Sequence, residues 1–435
     1  MKNIKTIFYF FVLNIASVLQ GNENSVKQKI LFLGLHKETF LSSSFIKKED
    51  KILLVDKSTA LIHTEKIAKY GRVIVVDDYY NSGEVTLAAI KCFKDTPYTA
   101  LIALSESDIL RAGAIRDYLH IKCQSLKSAK AFRDKILMKN ILESNGIKTA
   151  PFKLLKNEID LIYFIQDKGY PVIVKPRKAY GAVETYVLKN KNDLEKLLKT
   201  KGVFDEFQSE KYLVESFISG SMYHIDGLVY DNEIVFICPN EYTSTCLEMD
   251  KKESLYRKGY SASYILPQDS SVAKELIFLT KRVLDALPTP KSTAFFLEVF
   301  RKENGELIVC EIASRVGGHP NPHVLWNAFA IDLKEEFIRV QAGFSPSFSW
   351  KEKPKYLGSI ALGTTKGKFK GLSSSLKEFK EKNLFIDQGN TYEISSGFLS
   401  LAAYFIIPAP NKSIFIKEAE NIASSFYSKD CWNFE

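Results

Sequence analysis

The sequence of 435 residues lacks most of the features that identify zinc proteins, nucleic-acid-binding proteins and membrane-spanning proteins. Its six cysteines are scattered and form neither a Cys-x-x-Cys pair nor a spacing with histidine that suits zinc, so reduced thiols are expected. The 60 basic and 51 acidic residues give a net charge of +9, without a basic stripe that carries interleaved aromatic residues. Nucleic acid is therefore not an expected partner, and anionic small molecules explain the charge balance more simply.

One strongly apolar segment is present, at the N-terminus. Residues 1–5 are basic and residues 7–19 are apolar, which is the pattern of a signal peptide but shorter than the ~20 apolar residues of a membrane span. Its cleavage region is poor. We expect residues 1–25 to be a retained N-terminal extension of a cytoplasmic protein, with export or membrane anchoring as the alternative.

Short apolar strands alternate with mixed segments over residues 27–125, which predicts an α/β domain with a parallel sheet covered on both faces. The predicted strands are residues 29–34, 51–56, 72–77 and 100–104. The first strand ends at Gly34 without a full G-x-G-x-x-G, so a dinucleotide site is not expected there. This domain is interpreted as a scaffold that also lines the substrate side.

A second domain is predicted over residues 126–350 and a smaller closing subdomain over residues 351–435. The second domain opens with helical spacing from Ser128 to Gly146 and continues with strands. These strands are residues 170–176, 185–188, 211–218, 223–230 and 233–238. Strand patterns over 358–363 and 396–407 define the closing subdomain.

Two carboxylates lie on neighbouring predicted strands, Glu298 in residues 293–301 and Glu311 in residues 307–315. Asn304-Gly305 between them is a strong hairpin signal, so antiparallel pairing would point both acids the same way. Two hard oxygen ligands suit Mg²⁺, which takes its remaining ligands from water and substrate phosphates. The alternative is a hairpin that carries two solvated acids.

Positive side chains accompany this hairpin. Arg315 follows Glu311 by four residues and can add a fixed charge for phosphates. Lys175 ends an apolar strand just before the loop 177–182, an arrangement that can hold triphosphate oxygens through side-chain charge and backbone N–H groups. Lys135, on the preceding helix, supplies a second cation. For each lysine the alternative is an ordinary surface position.

In their order along the chain, these segments resemble the ATP-grasp superfamily, specifically its carboxylate–amine ligases. The resemblance is carried by Asp134-Lys135 with Gly146-Ile-Lys-Thr-Ala-Pro151, by Tyr170-Pro-Val-Ile-Val-Lys-Pro176, by Leu213-Val-Glu-Ser-Phe-Ile-Ser-Gly220, by Leu297-Glu-Val299 and by Cys310-Glu-Ile-Ala-Ser-Arg-Val-Gly-Gly318. It implies a Rossmann-like pre-ATP-grasp domain, an ATP-grasp α+β domain and a small C-terminal subdomain.

The resemblance also implies roles for particular residues. Lys135 and Lys175 would contact ATP phosphates, Glu298 and Glu311 would hold Mg²⁺, and Arg315 would stabilise the transferred phosphoryl group. The backbone of four hinge residues would bind adenine: Glu215, Ser216, Phe217 and Ile218. The implied reaction activates a small-molecule carboxylate as an acyl phosphate, which an amine then attacks to give an amide. The resemblance allows a homodimer.

Several positions depart from the family pattern. Ala179, Ala182 and Glu184 stand in the phosphate loop where Gly, Ser and Gly are common, and Ala313 stands where asparagine is common as an extra metal ligand. These departures leave two alternatives open. One is a nucleotide-binding regulatory or scaffold protein without turnover, and the other is a carboxylase-like or nucleotide-biosynthetic member of the superfamily.

Overall fold

The computed structural model describes residues 28–35, 45–200, 209–244, 259–348, 356–394 and 401–434. The signal-like residues 1–25 lie outside these ranges. Among the described residues, no helix is long and apolar enough to cross a membrane.

The described N-terminal part contains a four-stranded parallel sheet, as the sequence predicts. Its strands are β1 (Ile30–Leu33), β2 (Lys51–Asp56), β3 (Arg72–Val76) and β4 (Ala100–Ala103), in the order β3-β2-β1-β4. Its helices are α1 (Lys57–Ile62), α2 (Thr64–Ile67), α3 (Glu84–Asp95) and α4 (Ile109–Leu119), with a 3₁₀ helix at Lys48–Asp50. The strand residues are almost entirely apolar because helices cover the sheet.

The helical segment predicted over residues 128–146 divides into α5 (Leu126–Arg133) and α6 (Lys135–Ser144). Asp134 breaks the helix with extended backbone angles, and its side chain accepts hydrogen bonds from the first amides of α6. Aspartate is a favoured N-cap because its oxygens satisfy amides that the helix leaves unpaired. The break places Lys135 at the start of a new helix.

A four-stranded antiparallel sheet follows, in the order β5-β8-β6-β7. Its strands are β5 (Phe152–Leu154), β6 (Val172–Pro176), β7 (Tyr186–Leu188) and β8 (Tyr212–Ser216), and its helices are α7 (Glu158–Lys168) and α8 (Lys191–Leu198). Apolar side chains between this sheet and its helices form a separate small core.

The largest sheet has eight strands in the described part of the chain, in the order β13-β12-β9-β10-β11-β14-β18-β16. These strands are β9 (Ser221–Tyr230), β10 (Glu233–Ser244), β11 (Tyr260–Ile265), β12 (Thr293–Arg301), β13 (Leu307–Ala313), β14 (Tyr356–Gly363), β16 (Lys382–Leu384) and β18 (Leu401–Ala409). The accompanying helices are α9 (Ser271–Ala286), α10 (Asn321–Phe329), α11 (Leu333–Gln341), α12 (Ser374–Lys377) and α13 (Lys412–Phe426). A small sheet joins β17 (Thr391–Tyr392), β15 (Gly367–Phe369) and β19 (Trp432–Asn433).

Strands from the predicted closing subdomain pair directly with the central strands, since β14 lies beside β11. The large apolar core is likewise shared, because Phe415 and Phe426 of α13 pack in the same cluster as Phe295 and Leu297 of β12. The predicted boundary near residue 351 therefore divides the sequence but not the sheet.

Candidate active site

Glu298 and Glu311 are cross-strand partners in the pairing of β12 with β13. The hairpin inferred from Asn304-Gly305 is present, and both carboxylates line one large cavity. Tyr242 of β10 donates its hydroxyl to Glu298 Oε1 over 3.1 Å. Lys135 Nζ lies 2.8 Å from Glu311 Oε2. The two acids thus have different partners although they face the same space.

The two carboxylates have opposite pKa shifts. Burial and the neighbouring charge of Glu311 raise the pKa of Glu298 above its usual range. Burial alone would also raise the pKa of Glu311, but Lys135 and Lys175 hold it well below its usual range. Two adjacent half-buried carboxylates repel each other, and a bound cation would relieve that repulsion.

These two acids fit Mg²⁺ better than a metal that requires a complete protein cage. Among the described residues, no group of three or more His, Cys, Asp and Glu side chains could hold a metal ion. Mg²⁺ needs only one or two carboxylates when substrate phosphates and water supply the other ligands. The departure at Ala313 agrees with this small number of protein ligands.

Lys175 of β6 and Lys139 of α6 converge on the buried carboxylate of Glu215 in β8. Lys175 forms an ion pair with Glu215, and Lys139 Nζ lies 3.2 Å from Glu215 Oε2. Burial alone would raise the pKa of Glu215, but the two lysines lower it. Lys139 was not among the predicted site residues, although its place one turn after Lys135 is a signal, because residues four apart share a helix face.

Lys135 also joins the loop after β6 to the β12–β13 hairpin. Its Nζ donates to the carbonyl oxygen of Ala179 over 2.7 Å while it pairs with Glu311. Ala182 and Glu184 have φ angles of 58° and 52°, a left-handed conformation that favours glycine. The loop therefore has a backbone conformation that favours glycine at two of the three positions that depart from the family pattern.

The hinge residues Glu215, Ser216, Phe217 and Ile218 all line the cavity. The amide of Ser216 donates to the Pro151 carbonyl over 2.9 Å, and the amide of Phe217 donates to the Pro171 carbonyl over 3.1 Å. These two amides are therefore engaged within the protein. An adenine edge would have to use the hinge carbonyls or the amide of Ile218.

Arg315 lies directly after β13, and its Nε donates to the carboxylate of Glu106. Arg133 Nη1 donates to the other oxygen of Glu106 over 2.7 Å. Burial alone would lower the pKa of Arg315, but Glu106 raises it above its usual range. Glu106 was not among the predicted site residues, since its contact with Arg315 spans 209 residues.

The cavity measures about 1760 Å³ and contains every residue that the sequence analysis assigned to the site. Its lining also includes His319 from the loop before α10, Asn321 at the start of α10, and Lys334 from α11, whose Nζ lies 3.1 Å from His319 Nε2. A space of this size can hold a nucleotide and further small molecules, since pockets for single drug-sized ligands measure about 300–1,000 Å³.

Comparison with known proteins agrees with this geometry. Residues 140–325 match the family model of the ATP-grasp domain. The L-arginine-specific L-amino acid ligase of Bacillus subtilis is 27% identical over 349 residues, which are 78% of this chain and 83% of that protein.

Two solved structures show the fold. The crystal structure of L-amino acid ligase from Bacillus licheniformis has a TM-score of 0.70 at 14% sequence identity and covers 92% of this chain and 98% of that chain. The N5-carboxyaminoimidazole synthetase from Staphylococcus aureus complexed with ADP has a TM-score of 0.65 at 15% identity, over 91% of this chain and 97% of that chain. The chain contains an ATP-grasp domain and is an ATP-dependent ligase of the carboxylate–amine type.

Proposed function

We propose that this ligase joins the carboxylate of one amino acid to the amine of another. The observation that carries the proposal is the facing pair Glu298 and Glu311, which lies in one cavity with Lys135, Lys175 and Arg315. Two acids for a metal beside three fixed positive charges suit a transferred phosphoryl group better than a neutral ligand.

Each group of cavity residues has its own role in the proposed phosphoryl transfer. Lys135 and Lys175 neutralise phosphate oxygens of ATP, and the hinge at Glu215 to Ile218 holds the adenine edge. Glu298 and Glu311 would hold Mg²⁺, which when bound supplies charge neutralisation between the ATP phosphates. Arg315, fixed by Glu106, stabilises charge on the phosphoryl group during transfer.

In this reaction a substrate carboxylate oxygen attacks the γ-phosphorus of ATP, the bond to ADP breaks, and an acyl phosphate forms. The amine nitrogen then attacks the carbonyl carbon, the bond to phosphate breaks, and an amide is released with phosphate and a proton. No protein nucleophile is needed, because positioning and electrostatic stabilisation lower both barriers.

The mixed charges of the cavity support amino-acid substrates. Arg315 and Lys334 line it together with Glu106 and with neutral polar side chains. An amino acid carries both a carboxylate and an ammonium group, and a cavity that contains both signs of charge can accommodate both. The relative from Bacillus subtilis, an L-arginine-specific L-amino acid ligase, supports the same substrate class.

The test measures phosphate release from Mg·ATP by the full chain with amino acids offered singly and in pairs, and identifies products by mass spectrometry. Glu311→Gln should lose the release, whereas Glu303→Gln in the exposed turn of the same hairpin should retain it. Dipeptides that form only with a pair of amino acids would support the proposal. ATP binding without release from any mixture would favour the regulatory alternative, and release that requires bicarbonate would favour the carboxylase-like alternative.

A further inference from the structure

A chain of three hydrogen-bonding side chains crosses the large sheet beneath the cavity. His224 Nδ1 lies 2.9 Å from Asp226 Oδ2, and His224 Nε2 lies 3.0 Å from Ser263 Oγ. His224 and Asp226 are two residues apart on β9, so both point to the same face of the sheet, and Ser263 reaches them from β11. The phosphoryl chemistry described above makes no use of these side chains.

The three residues lie at different depths. Ser263 lines the cavity and is 7% exposed, whereas His224 and Asp226 are 1% and 0% exposed and lie behind it. Gly317 permits this arrangement, because a Cβ at that position would lie 2.6 Å from Asp226 Oδ1. That oxygen has no hydrogen-bond partner among the described residues. These three hydrogen-bonded side chains therefore present the Ser263 hydroxyl to a ligand in the cavity.

The three hydrogen-bonded side chains lie next to the part of the cavity that contains Glu298. His224 is the cross-strand partner of Glu298 in the pairing of β9 with β12. Its ring centroid is 4.8 Å from that of Tyr242, whose hydroxyl donates to Glu298. Two side chains, His224 and Tyr242, thus separate Ser263 from Glu298, and Ser263 lies on the side of the sheet that continues into β14.

The direction of the Ser263 hydroxyl follows from its partners. A carboxylate only accepts hydrogen bonds, so the Asp226 oxygen fixes the proton of His224 on Nδ1. In the neutral ring, Nε2 is then an acceptor and takes the Ser263 hydroxyl proton. The lone pairs of Ser263 Oγ are left to face the cavity. A hydroxyl that could donate or accept is held as an acceptor.

We propose that Ser263 binds the amine substrate by accepting a hydrogen bond from its nitrogen, and that His224 and Asp226 are positioning residues that hold the hydroxyl in this direction. The inference rests on the proposed ligase function and adds the amine subsite to it. An ammonium or amine nitrogen has N–H groups to donate, whereas a carboxylate has none. The subsite therefore selects the nucleophile and rejects a second carboxylate at this place.

Three variants test the assignment with ATP and the carboxylate substrate saturating and the amine varied. Ser263→Ala removes the acceptor, and we expect the KM for the amine to rise about 10- to 100-fold, the usual effect of losing a hydrogen bond to a charged group. Ser263→Thr keeps the hydroxyl and should restore the KM to within about threefold of the wild-type value. Ser292→Ala makes the same change outside the cavity, just before β12, and should change the KM for the amine by less than twofold.

The first half-reaction separates this inference from the proposed function. Hydroxylamine at high concentration intercepts an acyl phosphate as a hydroxamate without needing the amine subsite. Ser263→Ala should form hydroxamate at the wild-type rate while its KM for the amino-acid amine is raised. If the wild-type protein forms no hydroxamate, the ligase function fails. If hydroxamate forms but Ser263→Ala leaves the KM for the amine unchanged, the subsite is wrong.

The tautomer of His224 gives a readout that a purely structural role would not require. The ¹⁵N spectrum of the labelled full-length protein should show one neutral imidazole, protonated at Nδ1, that disappears in His224→Gln. Protonation of both ring nitrogens, or of Nε2 alone, would point the Ser263 hydroxyl proton into the cavity and overturn the proposed direction.

Discussion

The half-buried guanidinium of Arg315 and the buried carboxylate of Glu106 form an ion pair between the segment after β13 and the N-terminal sheet. Glu106 follows β4, and Arg315 follows β13. Burial alone would raise the pKa of Glu106, but Arg315 and Arg133 lower it. The arginine that lies nearest the transferred phosphoryl group in the proposed reaction is therefore positioned by the first domain of the chain.

Glu106→Gln should destabilise the protein and reduce turnover. The substitution leaves buried Arg133 and half-buried Arg315 without their shared carboxylate, and removal of one partner of a buried ion pair costs about 3–5 kcal/mol. The urea midpoint should fall, and kcat should fall with it because Arg315 loses its fixed position. Glu275→Gln provides a matched control, since it breaks the partly exposed pair with Arg301 and should cost no more than about 1 kcal/mol. Equal midpoints for the two variants would contradict the positioning role of Glu106.

Lys135→Met should raise the KM for ATP about 10- to 100-fold, because it removes a charge-assisted contact and releases the Ala179 carbonyl from the start of α6. Lys130→Met makes the same change on the exposed face of α5 and should leave the KM for ATP unchanged. Isothermal titration with a non-hydrolysable ATP analogue would measure binding apart from turnover. Equal affinity in both variants would remove Lys135 from the phosphate site.

The sequence predicted the local parts of this site because each part is short and has its own signal. Glu298 and Glu311 lie on one hairpin, and Lys175 ends one strand, so spacing and turn chemistry place them. The family resemblance then predicted that these residues lie together, and in the structure they line one cavity. The parts that were missed depend on contacts distant in sequence, such as Glu106 with Arg315 and His224 with Ser263. No local pattern encodes those pairings.

Domain boundaries were harder to infer for the same reason. Strands β14 and β18 have the composition of any short buried strand, and only their register shows that they extend the central sheet. Asp134 illustrates the opposite case, because the residue that divides the predicted helix is itself a good N-cap and carries a local signal. The apolar spacing continued across it and hid the break.

Ala182→Gly should stabilise the phosphate loop, whereas Ala179→Gly should destabilise it. Ala182 is left-handed, and a non-glycine residue in that conformation costs about 1–3 kcal/mol, more than the entropy that glycine adds to the unfolded chain. Ala179 does not have a positive φ angle, so the same substitution there gains no relief of strain and loses about 0.4–1 kcal/mol. Thermal midpoints of the two variants should therefore move in opposite directions. A lower midpoint for Ala182→Gly would show that the loop conformation carries no strain.

Asp108 should make stability depend on pH in the acid range. Burial raises the pKa of its carboxyl to about 6, although Arg111 and Tyr79 act in the opposite direction. The folded protein then binds a proton that the unfolded chain releases near pH 4, so stability falls as the pH rises from about 4 to about 6 and is flat above that range. The difference of about two pKa units corresponds to roughly 3 kcal/mol. Asp108→Asn, which stays neutral, should lose this slope when urea midpoints are measured from pH 4 to pH 7. Asp77→Asn, at an exposed position after β3, should keep the wild-type slope, and parallel curves for all three proteins would show that Asp108 is ionised throughout.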